Sequence, residues 1–99
     1  MKDKFLSLCG LCRKANMLAI GTNLSVEALK NNKVHLVVMA VNIAKNSEKE
    51  IVKETSIKSK KLIKTSYSKE ELGLALGYNE VAVFAVTDEI FAKALEDII

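Results

Sequence analysis

The residues best placed to do chemistry gather at one turn, Ile20-Gly21-Thr22-Asn23. It lies between an apolar run, Met17 to Ile20, and a helical-looking segment, Leu24 to Asn32. Gly21 lets the backbone turn sharply at little steric cost. Thr22 and Asn23 are both good helix N-caps. A strand, a tight turn and an open helix N-terminus are therefore expected. Free N–H groups and the positive dipole end would point outward, which suits a phosphate or the acceptor edge of a nucleobase. The same residues also make an ordinary strand-to-helix connection, so the turn alone leaves both readings open.

Other reactive groups lead nowhere catalytic. Cys9-Gly10-Leu11-Cys12 has redox or metal spacing, but the redox motif follows a strand and puts its first cysteine at a helix N-terminus. Here no strand precedes it, and both cysteines fall on the inward face of a first helix, as small buried apolar residues. An i,i+3 pair on a helix also suits a disulfide poorly. A zinc site needs about four ligands, and His35 is the one other soft candidate. His35 opens a strand by itself and reads as a partly buried structural histidine. There is no phosphate-loop sequence, no G-x-G-x-x-G and no nucleophile with a histidine partner. Glu70-Glu71 and Asp88-Glu89 fall in first helical turns, where acids complement the dipole. No catalytic residue, metal or cofactor is expected. The strand-end turns instead offer amides, hydroxyls and backbone donors, the groups that read nucleobase edges.

The elements that must position these groups follow from periodicity. Phe5, Leu8, Cys9 and Cys12 recur at helical spacing, with Leu11 and Ala15 extending the face and Asn16 ending it. Met17 to Ile20 reads as a short buried strand. A second helix turns Leu24, Ala28 and Leu29 inward, and ends near Asn31-Asn32. Val34 to Val41 is almost continuously apolar, as in a central strand covered on both faces. Ser47 with Glu50 forms a capping box for a third helix that buries Ile51 and Val52. Lys61 to Thr65 is a strand whose lysines suit an edge. Ser68 with Glu71 is a second capping box, ahead of inward-facing Leu72, Ala75 and Leu76. Val81 to Val86 is another buried strand. Thr87 or Asp88 caps a last helix burying Ile90, Phe91, Ala94, Leu95 and Ile98. A helix followed by four strand–helix alternations argues for an α/β fold with helices on both faces of a sheet. Ligand sites in such folds lie where strands end and helices begin.

Ninety-nine residues, 49% of them hydrophobic, with no proline and four glycines, suggest one ordered domain without a linker. Val34 to Val41 is too short to cross a membrane. The opening Met1-Lys2-Asp3-Lys4 suits an amphipathic helix better than a signal peptide, so a soluble cytoplasmic protein is expected. The net charge of +3 hides an asymmetry. Residues 1–64 hold thirteen Lys and Arg against five Asp and Glu; residues 65–99 hold two against seven. A basic body of this kind is compatible with a nucleic-acid footprint or with scattered solvated lysines. Fourteen of the fifteen basic residues are lysine, which binds phosphate as a point charge.

Several segments, in order, resemble the YlxQ-type bacterial branch of the kink-turn RNA-binding superfamily, which includes ribosomal proteins of the L-seven-Ae and L-thirty-e kind. They are Leu8-Cys9-Gly10-Leu11-Cys12-Arg13-Lys14-Ala15, then Gly21 with its helix, then Lys33-Val34-His35-Leu36-Val37-Val38-Met39-Ala40. Lys69-Glu70-Glu71-Leu72-Gly73-Leu74-Ala75-Leu76-Gly77 is the most specific. Val83-Phe84-Ala85-Val86-Thr87-Asp88 with Phe91-Ala92-Lys93 completes the series. The resemblance implies a three-layer α/β/α sandwich with a four-stranded mixed sheet, and binding to RNA with a sharply bent internal loop. In that family the start of the second helix enters the groove at tandem G·A pairs, and the loop before the last strand supports a flipped-out nucleotide. The matching positions here are Gly21, Thr22, Asn23, Leu24 and Glu27, then Gly77, Tyr78, Asn79, Glu80 and Val81. Ala40-Val41-Asn42 matches the segment after the second strand.

The resemblance implies that Asn23 contacts a base edge while Gly21, Thr22 and the amides behind them hold phosphate. Arg13, Lys14, Lys30, Lys33 and Lys45 are phosphate neighbours or plain surface residues. Tyr78 is a stacking surface or a half-buried aromatic beside a turn. The partner implied is structured RNA, ribosomal or another kink-turn RNA, with the protein a monomer near the ribosome. The family usually has lysine at Glu27, often glutamate at or near Leu24, and a Glu-Asp pair at Val41-Asn42. A carboxylate at Glu27 cannot donate to guanine O6 and N7. The alternative is a protein-interaction module that has kept the fold and lost specific RNA binding.

Overall fold

The computed structural model describes residues 3–99; Met1 and Lys2, part of the opening read above as helix-forming, lie outside the described residues. Helix α1 (Lys4–Lys14) begins at Asp3, whose carboxylate accepts the Leu6 N–H at 3.0 Å, and it carries Arg13 and Lys14 in its last turn, where the dipole favours cations. Asn16 takes a left-handed φ of 60°, as expected. Then come β1 (Leu18–Ile20), α2 (Thr22–Lys30), β2 (Leu36–Met39), α3 (Lys45–Ile57), β3 (Lys61–Lys64), α4 (Lys69–Leu76), β4 (Val83–Val86) and α5 (Glu89–Ile98).

The four strands form one mixed sheet in the order β1-β4-β2-β3, with β2 and β3 parallel and β4 antiparallel to both its neighbours. Side chains alternate across a strand, and the two central strands use that alternation to build two cores. Leu36 and Val38 of β2 and Phe84 and Val86 of β4 pack against Phe5, Cys9 and Cys12 of α1, Leu72 and Leu76 of α4, and Leu95 of α5. Val37, Met39, Val83 and Ala85 face the other way, onto Val26 and Leu29 of α2 and Ile51 of α3. This is the α/β/α sandwich expected. β3 is an edge whose lysines face outward, Lys61 to Glu96 at 3.1 Å and Lys64 to Glu48 at 2.9 Å. The Ser68–Glu71 capping box forms in full, and Asp88 rather than Thr87 caps α5 by accepting the Phe91 N–H.

Several details differ from expectation. β1 is the other edge, half-buried rather than buried. Leu11, Leu24 and Ile90, expected in helix cores, are all exposed, Ile90 by 80%. Leu11 and Ile90 sit two residues from buried Cys9 and Ala92, roughly 200° around a helix of 3.6 residues per turn; Leu24 shares a face with buried Ala28 but lies in the first turn of α2. Val52 is exposed beside buried Ile51, and Ile98 is exposed at the chain end. The ladder of β2 stops at Met39, and exposed Val41 leaves the sheet to give its N–H to the Tyr67 carbonyl. His35 is exposed, not partly buried. α3 starts at Lys45 with Ala44 as its uncapped N-cap, because buried Ile43 fixes the chain ahead of Ser47. Thr22 and Asn23 are not caps either; they lie inside the first turn of α2.

The thiols of Cys9 and Cys12 are free and fully buried. Burial pushes them up to about 12 and about 11, against an ordinary 9.0. A hydrogen bond from Tyr67 to the Asp3 carboxylate pushes the Tyr67 phenol up to about 12 as well. Raised acids release their protons first in the unfolded chain. Their contribution to stability is therefore intact below pH 9 and lost as the pH climbs toward 11 to 12. Thermal melts should hold a constant midpoint from neutral pH to just below that window and fall within it. At pH 8, iodoacetamide should modify neither cysteine in the native protein and both in denaturant, read by mass spectrometry.

Candidate functional site

Gly21 sets the geometry of the turn. Its φ of 97° and ψ of 164° are open to glycine and strained for other residues. Its carbonyl accepts the Ser25 N–H at 3.0 Å and so closes the first turn of α2. With no side chain to offer, Gly21 leaves the helix start without a side-chain cap. The first amides, at Thr22, Asn23 and Leu24, are thus the uncapped positive end of α2. Ser25 is buried and donates its hydroxyl to the Ala19 carbonyl at 3.1 Å, which pins this turn to the end of β1.

The loop 77–82 lies beside it. That loop precedes a strand, whereas Gly21 follows one, but β4 runs antiparallel to β1 and brings both to the same end of the sheet. Gly21 N–H donates to the Val83 carbonyl at 2.9 Å. Gly77 ends α4 in the left-handed conformation, φ 80°, and Tyr78 N–H reaches back to the Gly73 carbonyl at 2.8 Å. Gly21, Thr22, Tyr78, Glu80 and Val81 share a cleft of about 290 Å³. A larger groove of about 740 Å³ opens on the other side of Tyr78, lined by Arg13, Lys14, Leu24 and the end of β1. The Arg13 guanidinium lies 5.5 Å above the Tyr78 ring.

The remaining positions divide. Asn23 and Glu27 are exposed on α2, four residues apart and so on one face. Asn42 lies at the same end of the sheet, but its amide is committed to α4: Oδ1 accepts the Lys69 N–H at 2.8 Å and Nδ2 donates to Glu70 at 3.3 Å. A bond from its own backbone amide, with the one from Asn42, holds the Glu70 carboxyl below the ordinary range. Lys45 stands at the start of α3 and lines a separate hollow with Lys49, Val52 and Lys53. Lys30 ends α2, about 12 Å from Thr22 along a helix rising 1.5 Å per residue, and Lys33 follows that far end. Asn79, exposed, completes the loop tip.

Gly73 and Lys69, matched above only as members of the segment Lys69 to Gly77, are the residues that hold this loop. A Cβ on Gly73 would lie 2.5 Å from the Glu80 Cα, so the loop seats directly on the glycine. Lys69 grips it twice, by an ion pair with Glu80 at 3.3 Å and by its carbonyl, which accepts the Val81 N–H at 2.9 Å. The available signal was a glycine inside a helix, where it costs about 1 kcal/mol against alanine and so marks a close approach. Asn16, expected as a helix end, and Leu18 and Ile20, expected as strand, also line the larger groove.

The family model described as "Ribosomal protein L7Ae/L30e/S12e/Gadd45 family" matches residues 3–96. Among solved structures, a protein of unknown function from Bacillus halodurans C is 27% identical, with a TM-score of 0.91 over 98% of this chain and 97% of that one. The Giardia lamblia 15.5kD RNA binding protein shares the fold at 17% identity, with a TM-score of 0.77 over 99% of this chain and 87% of that one. No curated protein matches the chain in sequence.

Gly73→Ala tests how the loop is seated. Alanine is the better helix former, yet the backbone of Glu80 must move to admit it. The variant should lose about 1–3 kcal/mol in urea unfolding, as overpacking does, and amide NMR shifts should move at residues 78–82. A more stable variant would contradict the geometry.

Proposed function

The chain belongs to the ribosomal protein L7Ae/L30e/S12e/Gadd45 family, and from that premise we propose that it is a non-catalytic RNA-binding protein, ribosome-associated and cytoplasmic, that recognises structured kink-turn-like RNA as a monomer. One observation carries the reading: the Gly21–Val83 hydrogen bond ties the uncapped start of α2 to the first residue of β4, directly after loop 77–82. Two surfaces from distant parts of the sequence thus form one continuous edge, as an RNA bent at an internal loop requires. Thr22, Asn23 and Leu24 bring backbone donors and the dipole to phosphate. The exposed Asn23 amide can donate to the guanine O6 or N7. Arg13 and Lys14 flank the edge and supply charge. Lys30 and Lys33 would reach only a long flanking stem.

A second reading is favoured by two residues on this face. Leu24 is 55% exposed and Glu27 is an exposed acid. An apolar residue beside a carboxylate suits a protein partner better than a phosphate backbone.

Titration of a labelled kink-turn stem, and of a control stem lacking the G·A pairs, separates the two. The kink-turn should bind more tightly. Equal, weak binding to both, falling steeply with salt, would leave only electrostatics. Glu27→Lys should tighten kink-turn binding and steepen the salt dependence by about one unit of slope, the contribution of one added phosphate contact. No gain would mean that this face of α2 does not meet RNA.

A further inference from the structure

We propose that, in the absence of RNA, two copies of this chain pair antiparallel about a twofold axis through the groove between α1 and α4. The two helices run parallel. The Tyr67 hydroxyl, just ahead of α4, donates to the Asp3 carboxylate at the start of α1, and Arg13, near the end of α1, lies over Tyr78, just past α4. Midway they approach closely: a Cβ on Gly10 would stand 3.2 Å from the Ala75 carbonyl oxygen. Between them lies a groove of about 650 Å³, with Gly10 and Ala75 as its bare floor. Two leucines stand along it, Leu11 56% exposed and Leu74 83% exposed. A single exposed leucine is ordinary; two lining one groove make an unpartnered apolar surface.

The charges around the groove identify its occupant. Asp3 and Glu71 line it toward the helix starts, and Lys14 lines it at the end of α1, about 16 Å from Asp3 along the helix. None of the three forms an ion pair among the described residues. A helix whose charges suit its own dipole carries acid at its start and base in its last turn. Laid antiparallel in this groove, such a helix brings its acid to Lys14 and its base to Asp3 and Glu71. α1 is itself that helix, with Asp3 as its N-cap and Arg13 and Lys14 in its last turn. A twofold axis through the middle of the groove therefore sets Lys14 of each copy against the acidic end of the other. It also sets each Leu74 over the bare floor opposite. One patch meets itself, as a closed pair requires. An RNA backbone would meet two carboxylates and two leucines here, so the groove suits protein.

Pairing stands independently of the RNA-binding reading. In that reading a chain acts alone on RNA; Lys14, which lines this groove and the one beside Tyr78, serves phosphate there and the second copy here.

Sedimentation equilibrium of the RNA-free chain tests the proposal. From about 10 μM to about 1 mM, the range of small interfaces, the mass should climb from 10.9 kDa toward twice that value. Leu74→Gln keeps a helix former at an exposed position and should weaken pairing roughly tenfold, as loss of a hot spot does. Ile90→Gln, similarly exposed but on α5, should leave pairing unchanged. Lys14→Glu and Glu71→Lys should each fail to pair alone and should pair when mixed, since only the mixture restores both opposite-charge contacts. Circular dichroism melts establish that each variant is folded. Glu71→Lys also loses its capping box, so a second measurement uses the wild type: carbodiimide cross-linking of mixed isotopically light and heavy chains should join Lys14 of one copy to Asp3 or Glu71 of the other. A mass fixed at 10.9 kDa up to about 1 mM, absence of that cross-link in a paired chain, or pairing that Ile90→Gln breaks and Leu74→Gln does not, would overturn the proposal. A chain that pairs as described yet binds no RNA would remove the RNA reading and support this one.

Discussion

Two carbonyl oxygens at the start of β4 hold the working end of this molecule together. Val83 O accepts from Gly21, at the end of β1, and Ala82 O accepts from Ala40, at the end of β2. Buried backbone groups left unpaired are costly, so these bonds commit three chain segments, far apart in sequence, to one arrangement. β4 can serve as the common partner because it is the strand between β1 and β2, antiparallel to both. All four of its residues are buried, alternately in one core and the other. Its position is fixed from both faces and both edges, and the turns attached to it inherit that fixity.

The loop ahead of β4 is held by a different device. No large apolar side chain anchors its tip; Gly77, Tyr78, Asn79 and Glu80 are all exposed. It is held instead by the absence of a side chain at Gly73 and by Lys69, which bonds to it through both its ammonium and its carbonyl. Asn42 adds a cross-brace from the end of β2 to the first amide of α4. An exposed ion pair such as Lys69–Glu80 contributes little by itself. The close backbone approach at Gly73 therefore matters more for the shape of this surface.

The layout of the fold was legible because its main signals are strong and local. Val34 to Val41 and Val81 to Val86 are nearly unbroken apolar runs, and the Ser68–Glu71 box is a direct capping signal. What failed was facing and edge. Leu11, Leu24 and Ile90 look like core residues by type, yet all three are exposed, Leu24 even though it stands four residues from buried Ala28. The place of β1 at the sheet edge depends on pairing with β4, more than sixty residues on, which no local pattern encodes. For the candidate site, Gly21 and the segment Gly77 to Glu80 were readable as turns. Their adjacency was not, since it follows from the antiparallel direction of β4. The Arg13–Tyr78 pair, the role of Gly73 and the commitment of the Asn42 amide to α4 are tertiary facts of the same kind.

The uncapped start of α2 has a consequence for how such a surface changes over evolutionary time. Its donors are peptide N–H groups, present with any residue except proline at positions 22 to 24. What it demands is one backbone conformation at Gly21 and one hydrogen bond to β4. Side chains around it can therefore vary, a leucine or a glutamate included, while the uncapped end of the helix keeps its shape. A surface of this kind is inherited as a shape rather than as a motif. Descent with little sequence in common can then leave its geometry in place while the side chains that choose a partner are replaced.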